Sequence, residues 1–135
     1  MSSYWLVKTE PEAFSWQQLE KDGITSWDGV RNYQARNNLM KMKIGDFVLI
    51  YHSVSDKEIV GIGKVVREFY PDPSVEDKNW VAVDIVPEKK LKKRVPLQKI
   101  KENPALANIS LIKQSRLSVM PIEDFEFSAI IQMSE

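Results

Sequence analysis

The apolar and polar positions of this chain follow two rhythms, and the change from one to the other marks the elements. Tyr4-Trp5-Leu6-Val7-Lys8 is a short apolar run ending at Thr9-Glu10-Pro11, which reads as a buried strand. Ser15 stands as an N-cap for a helix over Trp16 to about Lys21, with Gly23 as its stop signal. Ile24-Thr25-Ser26-Trp27 is extended or irregular. A helical period returns from about Arg31 to Met42, with Val30, Tyr33, Leu39 and Met42 near one face and a turn at Gly45-Asp46.

Strand signals dominate the middle. Phe47-Val48-Leu49-Ile50-Tyr51-His52 is a continuous apolar run with the character of a strand buried on both faces. A turn at Ser55-Asp56-Lys57 leads into a strand over Ile59 to Val66. Gly61 and Gly63 lie two apart there, which suggests a tight bend or a close approach to the backbone. Tyr70-Pro71-Asp72-Pro73 reads as a loop and Trp80 to Val86 as a further strand. Val95-Pro96 suggests a short edge strand, followed by a helix over Leu97–Glu102 and a break at Asn103-Pro104. Short strands are expected at Leu111-Ile112-Lys113 and Ser118-Val119. Pro121 is expected to open a last helix, with Ile122, Phe125, Ala129 and Ile130 inward. Strands clustered between helices predict an α+β fold, with a strongly curved mixed sheet or small β-barrel flanked by helices.

With 135 residues and no linker or repeat, the chain reads as one domain over residues 1–135. It has no cysteine, which excludes disulfides and thiolate metal sites. No apolar run reaches the roughly 18 residues of a membrane span. Met1-Ser2-Ser3-Tyr4-Trp5 lacks the basic region and cleavage site of a signal peptide, so a cytoplasmic protein is expected, or a nuclear one in a host with a nucleus. Formal net charge is zero, but residues 88–101 hold seven basic residues against one acidic. Such a segment can touch phosphates, and it can equally be a solvated loop and helix face.

The stretch from Trp27 to Asn37 neither builds a core nor makes a plain solvated face. It gathers a Trp, a Tyr, a carboxylate, two Arg and two Asn within eleven positions. Flat aromatic faces, edge-reading amides and phosphate-gripping guanidiniums are what a nucleobase pocket needs. Trp5, Trp16 and Trp80 sit in or beside apolar elements and are core candidates. Trp27 lies between polar Thr25-Ser26 and Asp28-Gly29, so it is the functional candidate, although a buried indole is often plain core. His52 reads either as a hydrogen-bonded core residue or, with Tyr51 and Ser53, as part of a pocket rim. Enzyme signatures are missing. There is no Cys nucleophile, no nucleophile elbow, no phosphate loop and only one histidine. Asp28, Glu10 and His52 are acid–base residue types, but nothing in their spacing demands a catalytic set. No catalytic residue, cofactor or metal is expected.

Several blocks, in order, closely resemble the EVE domain family of the PUA-like superfamily, which is related to YTH domains. They are Tyr4 to Pro11, Trp27 to Asn37, Gly45-Asp46, Tyr51-His52-Ser53, Val60 to Gly63, Tyr70-Pro71-Asp72 and Arg116 to Pro121. The resemblance implies a PUA-like fold and a non-catalytic pocket for a modified base, with modified cytosine in DNA ahead of a modified RNA base. The order resembles that of YTH domains: a first strand ending in Lys8-Thr9, a Trp-containing segment after the first helix, then a strand ending at the pocket; on that analogy Trp27 is a wall of the aromatic pocket. Tyr33 or Tyr51 would lie nearby, and Asp28, Asn32, His52 and Ser53 would read polar edges. Arg31, Arg36, Arg116 and the Lys92-Lys93-Arg94 segment would hold phosphates. The expected partner is nucleic acid carrying a modified base. The competing readings are an enzyme acting on modified nucleotides and a protein-interaction module using the basic segment.

Overall fold

The computed structural model describes residues 3–135. Its strands are β1 (Tyr4–Thr9), β2 (Thr25–Trp27), β3 (Phe47–His52), β4 (Glu58–Pro71), β5 (Val81–Pro96) and β6 (Val119–Ile122). They form one sheet in the order β2-β5-β4-β3-β1-β6. The helices are α1 (Trp16–Asp22), α2 (Tyr33–Lys41), α3 (Leu97–Glu102), α4 (Ser110–Lys113) and α5 (Asp124–Met133). β1 and β3 run parallel, while the other pairings are antiparallel. The long crossover through α1, β2 and α2 permits that one parallel pair. The expected α+β fold with a curved mixed sheet is the observed one.

Local chemistry sets the boundaries. Ser15 accepts the Gln18 N–H, and Gly23 at φ 77° closes α1 in the left-handed conformation that glycine tolerates best. The Asn32 side chain caps α2 by accepting the Ala35 N–H. Glu123 and Glu126 form a reciprocal capping box at the start of α5. Asp46 is a buried anchor. Its carboxylate accepts the Ser3 N–H at 3.0 Å, the Trp5 Nε1–H at 2.9 Å and the Lys43 N–H at 2.9 Å, tying the start of β1 to the turn before β3.

The sheet curls through irregular pairing. β4 and β5 change register between Ile59 and Gly61, between Ile62 and Gly63, and twice more before Tyr70. Each irregularity bends and twists the strand locally. The two glycines are sites of close approach. A Cβ on Gly61 would lie 2.6 Å from the Trp16 ring, and one on Gly63 would lie 2.6 Å from Ile85 Cγ2. The backbone is approached here by core side chains of the same chain.

Several sequence expectations need correction. Tyr70 and Pro71 continue β4 instead of forming a loop. β5 runs on through most of the basic segment, burying Leu91 and Val95 while the lysines between them face solvent. Val95 and Pro96 are the end of the long strand β5, paired with Ile59 and Glu58 of β4, and do not form a separate short strand. α3 occupies Leu97–Glu102 as expected. Leu111-Ile112-Lys113 lies in helix α4, because a three-residue apolar run carries no period to separate helix from strand. Pro121 and Ile122 belong to β6, an edge strand that tolerates proline, and the last helix opens at Asp124. Phe125 is exposed; Phe127 instead stacks on Tyr4 with ring centroids 4.1 Å apart, and Ile130 is buried. Among the described residues no helix is long and apolar enough to cross a membrane.

Gly61→Ala forces a methyl against an aromatic ring already packed in the core. We expect a loss of about 1–3 kcal/mol in urea unfolding, the usual range for overpacking. A surface change such as Lys41→Ala should cost less than about 0.5 kcal/mol.

Candidate functional site

The curl brings the ends of β1 and β2 together. Between them lies a recess of about 390 Å³, walled by Lys8 and Thr9 of β1, Ala13 and Phe14 ahead of α1, Thr25, Ser26 and Trp27 of β2, and Asp28 just after it. That volume falls within the range of small-molecule sites, about 300–1,000 Å³. The Thr9 hydroxyl donates to the Phe14 carbonyl at 2.8 Å, which fastens the segment before α1 to the end of β1. Phe14 meets the Trp27 ring edge-on, centroids 5.9 Å apart at 85°. Trp27 is 7% exposed, so one indole belongs to both core and recess. Lys8 Nζ donates to the Ser115 carbonyl at 2.7 Å and lies 6.0 Å from the Tyr51 ring centroid. Burial pulls the Lys8 ammonium below its ordinary range. The Asp28 side chain stands exposed at the rim.

The rim is held by Asp72, whose side chain is fully buried. It accepts the Gly29 N–H at 2.9 Å, Arg31 Nη1 at 2.9 Å, the Ser74 N–H at 2.7 Å and the Ser74 hydroxyl at 2.6 Å. Burial works against its charge, but the hydrogen bonds from Ser74, Arg31 and Gly29 outweigh that and hold its pKa at about 2. Gly29 has φ 77°, a conformation that directs its N–H to the carboxylate at little steric cost. β2 itself is tied down as well. The Ser26 and Tyr70 hydroxyls are 2.7 Å apart, and Tyr70 donates to Asp84. Burial, then the bond to Asp84, raises the Tyr70 phenol above its usual range.

The expected site residues therefore divide. Lys8, Thr9, Trp27 and Asp28 share the recess. His52 does not reach it: its ring is buried, with Nε2 accepting the Trp16 N–H at 3.0 Å and Nδ1 3.2 Å from Asp56. It holds the start of α1 in place, as a hydrogen-bonded core histidine. The Tyr51 side chain is buried in the core, and burial raises its phenol pKa. Ser53 gives its backbone N–H to the Thr9 carbonyl. Asn32 spends its carbonyl on the α2 cap and lines a neighbouring recess with Arg116. Tyr33 faces outward instead of toward the core. It stacks on Trp80 at 4.9 Å, with Arg36 over its own ring and Arg31 against Trp80. Trp80 is thus a partly buried aromatic outside the core, not the core residue its apolar neighbours suggested. Arg31 is neutralised by Asp72, and Arg94 pairs with Glu58 at 2.8 Å. Arg94 and Lys93 line a separate recess with Met133, and exposed Lys92 shares their strand. Among the described residues Lys8, Arg36 and Arg116 have no carboxylate in ion-pair range; Lys8 lines the recess, Arg116 lines the neighbouring one and Arg36 lies over Tyr33. Phe14 and Asp72 were missed as site residues. The fixed block Tyr70-Pro71-Asp72 was the signal that could have exposed Asp72.

A curled mixed sheet flanked by helices, with an aromatic and polar recess between strand ends, defines a PUA-like domain. The chain belongs to the EVE domain family, whose sequence model matches residues 3–133. It is 34% identical to human thymocyte nuclear protein 1 in an alignment covering 100% of this chain and 75% of that protein. A crystal structure of a protein from Agrobacterium tumefaciens is 40% identical, with a TM-score of 0.97 over 98% of this chain and 93% of that one. The structure of human THYN1 in complex with DNA containing 5-methylcytosine is 34% identical, with a TM-score of 0.92 over 99% of this chain and 98% of that one.

The Asp72 pKa of about 2 lies below the ordinary value of 3.8. Its contribution to stability is complete above about pH 4 and is lost as pH falls from about 4 toward 2, amounting to about 2 kcal/mol. Asp72→Asn should therefore lower the melting temperature at pH 7 and flatten the wild-type decline between pH 4 and 2. Melts followed by circular dichroism across that range test this.

Proposed function

We propose that this protein is a non-catalytic DNA-binding module that holds a modified cytosine, flipped from its stack, in the recess between β1 and β2. The observation that carries the reading is the close structural match to human THYN1, which has been seen in complex with 5-methylcytosine-containing DNA. The recess supplies suitable chemistry. Phe14 and Trp27 offer aromatic surface, and stacking returns about 1–3 kcal/mol against a flipping cost of a few kcal/mol. Asp28 is an acceptor at the rim, the complement of the cytosine N4 amino donor. Lys8 and Thr9 face it from the other side. Arg36 and Arg116 supply phosphate contacts. In this reading Arg31 acts by shaping the rim, since its charge is already paired with Asp72.

Burying one methyl group is worth about 0.8 kcal/mol, so discrimination between methylcytosine and cytosine should be modest, about fourfold. Trp27 is too deeply packed for alanine to be informative: Trp27→Ala would cost about 3–5 kcal/mol of stability, whatever its binding role. Asp28 is the better probe because it is exposed. We expect calorimetric titration to show tighter binding of methylcytosine-containing than unmodified strands. Asp28→Ala should weaken the modified complex by about 1–3 kcal/mol with an unchanged melt. Equal affinity for both strands in the wild type would sink the proposal.

A further inference from the structure

A single flipped base leaves the neighbouring recess unexplained. It measures about 330 Å³ and is walled by Asn32, Gln34, Gln114, Ser115, Arg116 and Leu117. Lys8 joins it to the first recess, because Lys8 lines the first and donates to the Ser115 carbonyl in the second. The two are adjoining compartments of one surface.

Its hydrogen-bonding groups are open. Gln34 Nε2 donates to Gln114 Oε1 at 2.8 Å. Whichever way the two amides are turned, one carbonyl and one amino group are engaged, and one of each is left to face outward. Asn32 uses its Oδ1 on the α2 cap, which leaves its amino group free. Arg116 is exposed and has no carboxylate partner among the described residues. Leu117 is buried and gives an apolar floor. Gln34, Gln114 and Arg116 are all exposed, so the core does not account for their side chains, and Gln114 closes α4 through its backbone N–H, which leaves its side chain free of that cap.

We propose that this second recess binds the nucleotide adjacent to the flipped base and reads its identity, so that the protein recognises a modified base in a sequence context. The inference rests on the reading of the first recess as a base site. A carbonyl beside an amino group complements a base edge that places an amino donor beside a ring acceptor. Adenine has that pattern in N6 and N7, whereas guanine shows two acceptors on the same edge. Arg116 then holds the phosphate of that nucleotide, and Lys8 lies at the junction of the two compartments.

The test crosses two variables in a set of short duplexes: methylcytosine or cytosine at one position, and each of the four bases beside it on either side. Wild type, the Gln34→Ala/Gln114→Ala double variant and Arg116→Ala are titrated with every duplex, after matching melts confirm that the exposed substitutions leave the fold intact. Wild type should bind the adenine-flanked site about five- to tenfold tighter than the guanine-flanked site. The double variant should lose that difference while keeping its preference for methylcytosine. Arg116→Ala should weaken all duplexes alike and reduce the slope of log K against log salt by about 1. Wild-type binding that ignores the flanking base overturns the proposal, as does a flank preference that survives in the double variant. Failure of the first-recess reading looks different: methylcytosine and cytosine bind equally at every flank, while any flank preference and its loss in the double variant still stand. Absence of binding to every duplex overturns both.

Discussion

Lys8 and Thr9 lie on the fifth strand across the sheet and Trp27 on the first, yet they wall the same recess. A flat sheet would hold those strands apart by several strand spacings of about 4.8 Å. The site therefore depends on curl, and the curl depends on β4 and β5. Ordinary strand twist contributes, but the repeated register changes along this pair supply the local bends. Gly61 completes the geometry by letting the Trp16 ring lie directly on the strand backbone. That contact draws the start of α1 inward, where His52 accepts its first N–H and Thr9 fastens the segment carrying Phe14. One backbone position without a side chain thus governs where an aromatic wall of the recess stands.

The rim follows a different logic. It is irregular backbone, and such backbone needs partners when it is buried. Asp72 provides them from the loop between β4 and β5, collecting the Gly29 amide, the Arg31 guanidinium and Ser74 on one carboxylate. A buried charge is tolerated there because four hydrogen bonds, one of them from a guanidinium, are directed at it. The polar run that looked most like a binding motif thus combines two kinds of residue. Trp27 and Asp28 face the recess, while Gly29 and Arg31 fix the shape that presents them.

Periodicity and capping chemistry made much of the fold legible. β1, α1 with both caps, β3 and α3 follow from apolar runs and from Ser15, Gly23 and the Asn103-Pro104 break. The failures share a cause. A strand that separates buried Leu91 and Val95 by the three exposed residues Lys92-Lys93-Arg94 does not carry the two-residue period of a simple strand, so most of the basic segment of β5 read as loop. Tyr33, Trp80 and His52 show the limit for site residues. Residue type says that a ring can stack or a histidine can bond. Which partner it finds is decided by register and helix phase, which no local pattern contains. Tyr33 and Trp80 found each other, and His52 found the start of α1. The ordered motif blocks of the EVE resemblance reached further than periodicity did, because they reflect the assembled site.

These placements imply a division of labour within the recess. Trp27 is packed almost as tightly as the core around it, so its position is over-determined, and it can offer a base a rigid, pre-organised face. Rigidity lowers the cost of binding without deciding what binds, since every base has a flat face. In the proposed reading, discrimination comes from the groups whose hydrogen-bonding capacity the fold leaves unused. Those lie at the margins: Asp28 on one side, and Asn32, Gln34, Gln114 and Arg116 on the other. The buried polar groups Asp46, His52 and Asp72 are already occupied by internal partners and have little left for a ligand. In this domain the polar residues that build the site and those free to read a ligand are therefore largely different residues, and burial separates one group from the other.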